Sequence, residues 1–330
     1  MHIRIYFILI SLFHAGIAAA NSVYPQNPLV EQDAITISSE AVARFDLSGK
    51  LKLWQNLDNL QTFEPVDGGE NILVGTSRGL YALDKQTGKI RWHSAINDTV
   101  FSPSINLGVA YAGSRSGNLY AFRLSDGLKL WSFQTDGWIY SPVLFGELVI
   151  TGGQKGELIA IERNSGNLRW TYALPNEMVF APVMGSQTNV LVTTFAGDVI
   201  AVDANTGVLR WSLDTATPNA SPIFIQGKLI AAGFDGYIRG IDPQTGQLLW
   251  ATSLGGRISP PVRFKSDQLL VSTDQGKVYR INANTGQMLQ QMTVAGETIG
   301  SAYSVEKRIV QWVKIVGNKT KFMASKLEPD

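Results

Sequence analysis

The sequence predicts an all-β chain folded as a β-propeller, and three observations carry this prediction. Each repeat contains four short runs in which apolar and polar residues alternate. A turn glycine recurs in steps of 39, 39, 39, 41, 39 and 40 residues, at Gly49, Gly88, Gly127, Gly166, Gly207, Gly246 and Gly286. A tryptophan keeps nearly the same step, at Trp54, Trp92, Trp131, Trp170, Trp211 and Trp250. Four strands in a repeat of about 40 residues are typical of a propeller blade.

Within one repeat the strands follow in the order A, B, C and D. The clearest repeat predicts strands over residues 139–145, 147–152, 157–162 and 168–172, separated by Gly, Asn, Asp and Ser. No window long enough for a sizeable helix places apolar residues at helical spacing. Strand A begins at a recurring proline, where a missing N–H is tolerable, at Pro65, Pro103, Pro142, Pro182, Pro222 and Pro261.

The turn between strands C and D has its own chemistry. Its pattern D-x-x-T-G occurs at residues 84–88, 203–207 and 242–246. Aspartate can accept hydrogen bonds from the backbone beyond it, and glycine adopts positive φ without strain. The three aspartates lie on separate blades and are therefore predicted to cap turns, not to bind calcium. The periodic tryptophans are predicted to pack between adjacent sheets, where glycine allows close approach.

In chain order, residues 1–20 are predicted to be a signal peptide, residues 21–33 an extended lead-in and residues 34–330 a single propeller domain. Arg4 precedes an apolar stretch over residues 5–13, and the small residues before Asn21 predict cleavage after Ala20. The alternative is that this segment is kept as an uncleaved anchor. Six complete repeats run from about residue 63 to 293, and partial repeats lie at 34–56 and 297–327. We therefore expect eight blades closed by pairing of the two ends, with seven as the alternative.

The composition excludes several functions. The formal charge is +1, which offers no long-range attraction for nucleic acid. The chain has no cysteine, so it can have no disulfide, thiolate site or lipid anchor on cysteine. Of three histidines, only His93 would remain after cleavage, and it is predicted to be a surface residue at a strand end. The expected protein is a periplasmic monomer without a cofactor, a metal site or a membrane span.

The repeat resembles the pyrroloquinoline-quinone (PQQ) propeller repeat family, whose pattern is G-x-L-Y-A-L-D-x-x-T-G-x-x-x-W. Residues 79–92 match it closely, and residues 118–131, 198–211 and 237–250 match with variations. Within this family, the quinoprotein dehydrogenases are larger and hold PQQ against a vicinal cysteine pair, which this chain lacks. The other branch, the periplasmic outer-membrane protein assembly factor BamB, is similar in length and export signal. The chain differs from that branch in lacking the lipid-anchoring cysteine.

Positions that break the repeat predict a partner-binding face. In an up-and-down blade, the B–C corners and the D–A connections lie on one face. The early B–C corners are basic, at Arg78, Arg115 and Lys155. The later B–C corners are acidic, at Asp198, Asp235 and Asp274. Before strand A, the early repeats have aromatic residues, at Phe63, Phe101, Tyr140 and Phe180. The aligned later positions are Ala220, Ser259 and Gly300.

Trp138 lies outside the periodic set and is expected on this same face. The candidate docking residues are therefore Arg78, Phe101, Arg115, Trp138, Tyr140, Lys155 and Phe180. Aromatic residues and arginine dominate the energetics of protein interfaces. The alternative is that these rings only fill the central channel.

These observations favour a non-enzymatic scaffold that binds protein partners in the cell envelope, and the resemblance implies a role in the assembly of outer-membrane β-barrel proteins. The resemblance to quinoproteins leaves a PQQ-dependent oxidoreductase or sensor as the alternative. A propeller that binds a glycan or another small ligand is a third hypothesis.

Overall fold

A computed structural model describes residues 29–31, 33–38, 41–46, 52–174, 179–185, 188–217, 221–258, 262–265, 267–293, 297–298, 303–305, 308–315 and 319–326. The predicted signal peptide and most of the lead-in lie outside these residues. The described residues form eight four-stranded antiparallel sheets. They include no helix that is long and apolar enough to cross a membrane.

The sheets follow one another in sequence order. Sheet one consists of Leu29–Val30, Ala34–Ser38, Val42–Asp46 and Lys52–Asn56. Sheet two consists of Val66–Asp67, Asn71–Thr76, Gly79–Asp84 and Ile90–His93. Sheet three consists of Ser104–Asn106, Val109–Gly113, Asn118–Arg123 and Lys129–Gln134. Sheet four consists of Val143–Phe145, Leu148–Gly152, Glu157–Glu162 and Leu168–Ala173. Sheet five consists of Val183–Met184, Asn189–Thr193, Asp198–Asp203 and Leu209–Asp214. Sheet six consists of Ile223–Ile225, Lys228–Ala232, Tyr237–Ile241 and Leu248–Ser253. Sheet seven consists of Val262–Lys265, Gln268–Thr273, Lys277–Asn282 and Met288–Thr293. Sheet eight consists of Glu297–Thr298, Tyr303–Val305, Arg308–Ile315 and Lys319–Lys326.

The first seven sheets have their four strands in the order A, B, C and D, so each is a meander. The A strands of sheets three to six contact one another in order, three with four, four with five and five with six. The predicted all-β fold of four-stranded blades is thereby confirmed.

The two ends of the chain differ from this pattern. In sheet eight, Glu297–Thr298 and Tyr303–Val305 pair along one edge of Arg308–Ile315, and Lys319–Lys326 pairs along the other. In the first sheet, Leu29 and Val30 pair with Thr36 and Ile35, so the predicted lead-in includes a strand. Within the described residues, the first and last sheets are separate, so the expected pairing of the two ends stays a prediction.

Strand A is interrupted at its proline. In sheet four, Ile139 bridges Gly153, and pairing resumes at Val143 opposite Ile150. Pro142 lies between them and has no N–H to donate. The predicted strand over residues 139–145 is therefore one bridge followed by a shorter strand.

The hydrophobic core lies between the sheets. Each buried cluster joins residues of two consecutive sheets, as between sheets four and five, where Ile150 and Leu158 pack in one cluster with Val190 and Ile200. Clusters of this kind join every consecutive pair from sheet one to sheet seven. A blade therefore buries its faces only against its neighbours, as expected for stacked repeats.

The periodic tryptophans contact the next sheet across these buried interfaces, each of which we call a seam. Trp170 donates a hydrogen bond from Nε1 to the carbonyl oxygen of Ala204 in the next sheet at 2.9 Å. A Cβ on Gly207 would lie 2.6 Å from Cε3 of this indole, so only glycine fits there. The same pattern of donation holds for four more tryptophans, Trp54, Trp92, Trp131 and Trp211.

Trp250 makes the same glycine contact but not the same hydrogen bond. Its Nε1 is buried and has no hydrogen-bond partner among the described residues. Gly240, opposite Trp250 in the ladder, replaces the alanine found opposite Trp92, Trp131, Trp170 and Trp211. A Cβ on Gly240 would lie 2.3 Å from Nε1 of Trp250, so the ring occupies the space that alanine would fill.

We expect Trp250→Phe to cost about 1–2 kcal/mol less stability than Trp211→Phe. Trp211→Phe loses the hydrogen bond to the carbonyl oxygen of Pro243, which measures 3.0 Å. Trp250→Phe removes a buried N–H that is unsatisfied among the described residues. Urea denaturation of the two variants measures the difference, and equal losses would contradict the proposed role of Nε1.

The C–D turns are capped by their aspartates. Asp84 Oδ1 accepts hydrogen bonds from the amides of Gln86 at 3.1 Å and Thr87 at 2.7 Å. Asp203 makes the equivalent bonds, and its hydrogen bond from Arg210 is the main cause that lowers the pKa of this carboxyl to about 2. These carboxylates are occupied by partners on their own sheet, in the turn itself and on neighbouring strands.

Candidate partner-binding face

The B–C corners lie beside the D–A connections, so their side chains share one face. The amide of Arg115 donates to the carbonyl oxygen of Thr99 at 2.9 Å, and the amide of Gln154 donates to that of Trp138 at 2.9 Å. These bonds join the corner of a sheet to the residue that enters its own strand A. The structure therefore places Arg78, Arg115 and Lys155 on the same face as Trp138.

The aromatic residues before strand A occupy equivalent backbone positions. Their amides donate to strand B, for example Phe101 to Gly113 at 2.9 Å and Tyr140 to Gly152 at 3.0 Å. The rings of Phe63 and Phe101 lie 5.1 Å apart, and those of Phe101 and Tyr140 lie 5.6 Å apart. The three rings form a continuous row across sheets two, three and four.

Burial raises the pKa of Tyr140 to about 12, so its phenol stays neutral at physiological pH. Phe180 contacts Phe195, with ring centroids 6.4 Å apart. Phe195 lies on the B–C corner of the same sheet. The aligned positions Ala220, Ser259 and Gly300 lie outside the described residues.

A cation–π contact crosses the seam between sheets three and four. The guanidinium of Arg115 lies 4.5 Å from the centroid of the Trp138 ring. Trp138 and Lys155 line one narrow cavity with Gly137 and Gly153. The structure thus brings Arg115, Trp138 and Lys155 together, whereas Arg78 lies on the B–C corner of sheet two.

A second cation–π contact, which the sequence alone did not indicate, crosses the seam between sheets six and seven. The guanidinium of Arg257 lies 3.8 Å from the centroid of the Phe234 ring. In this contact the B–C corner supplies the aromatic ring and the D–A connection supplies the cation, which is the reverse of the contact between Arg115 and Trp138. Alignment of the corners on their positive-φ glycines, such as Gly117 and Gly236, would place Phe234 at the position of Arg115.

The histidine that the sequence predicts at a strand end makes a local contact. His93 is exposed and stacks on Tyr81, its cross-strand neighbour, with ring centroids 5.4 Å apart. Among the described residues, no group of three or more His, Asp or Glu side chains is placed to hold a metal ion.

The architecture defines the class of this protein as a β-propeller of PQQ-like repeats that are joined by tryptophan–glycine contacts. The chain belongs to the family described as outer membrane protein assembly factor BamB, whose sequence profile matches residues 38–139, 135–259 and 234–326. No curated protein matches the sequence.

Solved structures show the same fold at low sequence identity. The computationally designed protein Ika8 superposes with a TM-score of 0.79 at 14% identity, covering 92% of this chain and 97% of its own. BamB from Moraxella catarrhalis superposes with a TM-score of 0.71 at 19% identity, covering 87% and 93%. A europium-containing methanol dehydrogenase superposes with a TM-score of 0.71 at 13% identity, covering 89% and 84%. Propellers of very different function therefore share this architecture.

Proposed function

We propose that the protein is a non-enzymatic scaffold of the periplasm that binds a protein partner and contributes to outer-membrane β-barrel assembly. Membership of the BamB family supports the assembly role. The observation that carries the binding role is the exposed Arg115 stacked over Trp138, beside the row of aromatic rings. Arginine and tryptophan are the residues most enriched in binding hot spots.

The proposal includes export of the chain and removal of residues 1–20, so that a single propeller domain acts in the periplasm. The signal segment and the predicted lead-in up to residue 28 lie outside the described residues. Without a cysteine, the mature chain carries no lipid on a thiol. We propose that it acts as a monomer held at the membrane through its partner.

A quinone-dependent oxidoreductase is the second candidate, because the methanol dehydrogenase shares the fold over 89% of this chain. The absence of cysteine removes the vicinal pair that the quinoprotein resemblance implies. Titration with PQQ and calcium, followed by visible absorbance and dye reduction, separates the candidates. A stoichiometric absorbance change with dye turnover would replace the scaffold proposal.

The double variant Arg115→Glu with Trp138→Ala tests the docking face. Loss of a tryptophan hot spot and reversal of its neighbouring charge should weaken partner binding at least about tenfold. The measurement is co-purification of envelope proteins with the tagged chain, together with the β-barrel content of the outer membrane in complemented cells.

The matched control is Arg169→Glu with Leu168→Ala, which makes the same kinds of change on the outer strand of sheet four. Arg169 and Leu168 are both exposed. The control should keep partner binding, and both variants should melt close to the wild type. Unchanged partner recovery by the Arg115 and Trp138 variant would refute this face.

A further inference from the structure

A cavity of about 440 Å³ lies at the A–B and C–D turns of sheet four. In an antiparallel meander these turns are at the end of the strands away from the B–C corner, so the cavity is on the face opposite the candidate docking face. Phe145 and Glu147 border it at the A–B turn, residues 162–165 at the C–D turn, and Asn205 from the next sheet. Its volume is in the range of sites that hold a small molecule.

The C–D turn of sheet four lacks the cap that closes the equivalent turns of other sheets. In sheet two, Asp84 accepts hydrogen bonds from the amides two and three residues further on, and the aligned residues Asp203, Asp242 and Asn282 do the same. Glu162 stands at this position in sheet four and accepts a hydrogen bond from Oγ of Ser165 at 2.9 Å. Among the described residues, the amides of Asn164 and Ser165 donate to no acceptor. Two backbone donors at the border of the cavity therefore have no protein partner.

The side chains between the two turns hold one another in place. The side chain of Arg163 is 10% exposed, and it donates to Oε1 of Glu147 at 2.9 Å and to Oδ1 of Asn106, in sheet three, at 2.5 Å. Nδ2 of Asn164 donates to the other carboxylate oxygen of Glu147 at 3.3 Å. This part of the cavity wall is therefore ordered before a ligand enters, which lowers the entropic cost of binding.

The charges that line the cavity cancel. They form two pairs, Arg163 with Glu147 at 2.9 Å and Arg169 with Glu162 at 3.5 Å. Among the residues that the structure describes, no other charged side chain lines the cavity. An ionic ligand would be attracted by one member of each pair and repelled by the other. A neutral ligand avoids this repulsion, and hydroxyl groups can both donate to the carboxylates and accept from the N–H groups.

Phe145 adds an apolar surface to this polar lining. It packs against the buried cluster between sheets four and five, and it lines the cavity. The face of an aromatic ring is a flat apolar surface that can pack against C–H groups. The lining therefore suits a ligand whose ring is apolar on its faces and polar around its edge, which is the character of a sugar.

We propose that this cavity binds a neutral carbohydrate, with one sugar unit packed on Phe145. Hydroxyl groups of the sugar donate to the two carboxylates and accept hydrogen bonds from Arg169 and from the amides of Asn164 and Ser165. The site lies on the face opposite Arg115, so this binding goes beyond the proposed docking function and does not depend on it.

Other occupants fit the cavity less well. Phosphate or a carboxylate would need an excess of positive charge, whereas both arginines here are paired with glutamates. An extended peptide that adds to a sheet needs a free strand edge, whereas this cavity is bordered mainly by two turns.

The test is isothermal titration calorimetry of the full mature chain with three neutral oligosaccharides, maltotriose, cellotriose and triacetylchitotriose. At least one should bind with a Kd below about 1 mM. This Kd should stay the same when the salt is raised from about 50 to 300 mM, because a neutral ligand has no charge to be screened. Inorganic phosphate and free glutamate are the charged probes, and neither should bind.

Arg169→Ala and Asn164→Ala should each raise the Kd about tenfold, because each removes hydrogen-bonding groups from the cavity. The matched controls are Arg91→Ala and Gln86→Ala, at the equivalent positions of sheet two. The side chains of Arg91 and Arg169 are 52% and 62% exposed, and each pairs with the acidic residue at the start of its own C–D turn. The controls should keep the wild-type Kd.

Absence of saturable binding of all three oligosaccharides, binding of phosphate or glutamate in their place, or a Kd that depends on salt would overturn the inference. The same holds if Arg169→Ala and Asn164→Ala melt like the wild type and keep its Kd. The double variant Arg115→Glu with Trp138→Ala should bind the sugar normally, and loss of sugar binding in it would contradict the placement of the site. Failure of the docking proposal is thereby distinguishable from failure of this one.

Discussion

Trp170→Ala should lower the free energy of unfolding by about 3–5 kcal/mol. The substitution empties the space above Gly207 and leaves the carbonyl oxygen of Ala204 without its donor. Because each sheet buries its faces only against its neighbours, the loss affects the seam between sheets four and five directly. Urea denaturation followed by the fluorescence of the other tryptophans measures the change.

Gly207→Ala tests the opposite side of the same contact. Its φ of +71° is strained for alanine, and the new Cβ would lie 2.6 Å from the indole of Trp170. Gly227→Ala is the matched control, because its φ is +70° and nothing lies within 4 Å of its Cβ. The control should cost only the backbone strain, about 1–2 kcal/mol, and Gly207→Ala clearly more. Equal costs would show that the ring does not need this glycine.

The two substitutions should not be additive. With the indole removed, the alanine at position 207 has no ring to meet, so the double variant should lose less than the two single variants combined. A coupling free energy of about 1–2 kcal/mol is expected for residues in direct contact. Additive losses would mean that the two residues act separately.

Glu31→Gln should destabilise the protein by about 3 kcal/mol, because it leaves a buried guanidinium without its main partner. The side chain of Arg44 is 5% exposed, and it pairs with Glu31, whose side chain is 14% exposed. Thr36 and Asp33 offer further acceptors, at 3.1 Å and 3.3 Å. Glu31 also pairs with Lys85 of the second sheet at 2.6 Å, so the network joins the first two sheets.

The control for this prediction is Glu162→Gln, at a surface pair with Arg169 whose side chains are 62% and 40% exposed. It should change stability by less than about 1 kcal/mol. Replacing Arg44 and Glu31 together by leucine should recover much of the loss, because no uncompensated charge stays buried. A Glu31→Gln variant as stable as Glu162→Gln would contradict the role of this network.

The same region illustrates the limit of the repeat pattern. Arg44 lies opposite Trp54, at the ladder position that alanine occupies opposite Trp92 and Trp170. The sequence shows an arginine there but does not show that Glu31, from the predicted lead-in, turns back to pair with it. Periodicity predicts positions within a sheet, whereas this ion pair depends on how a non-repeating segment folds over the first sheet.

The strands, their turns and the tryptophan–glycine pairs could be predicted from sequence because their causes are local. Alternation of apolar residues sets the strand faces, and Asp84 and Gly88 encode their turn within five residues. The candidate face was predicted only as a set of positions, since corner and connection residues align from repeat to repeat.

The sequence by itself determined a chain of four-stranded repeats whose indoles meet glycines, because these features recur with the repeat and need only neighbouring residues. The tertiary structure alone decided which charges are free, because pairing depends on side chains brought together from separate turns and strands. It placed Arg115 on Trp138 across a seam, and it showed that Asp235 and Asp274 are engaged while Arg78 and Lys155 form no ion pair among the described residues. Gly240 likewise leaves room for the Trp250 ring, because glycine lacks the methyl group that alanine has at this position in other sheets. The repeat pattern of the sequence does not show this effect.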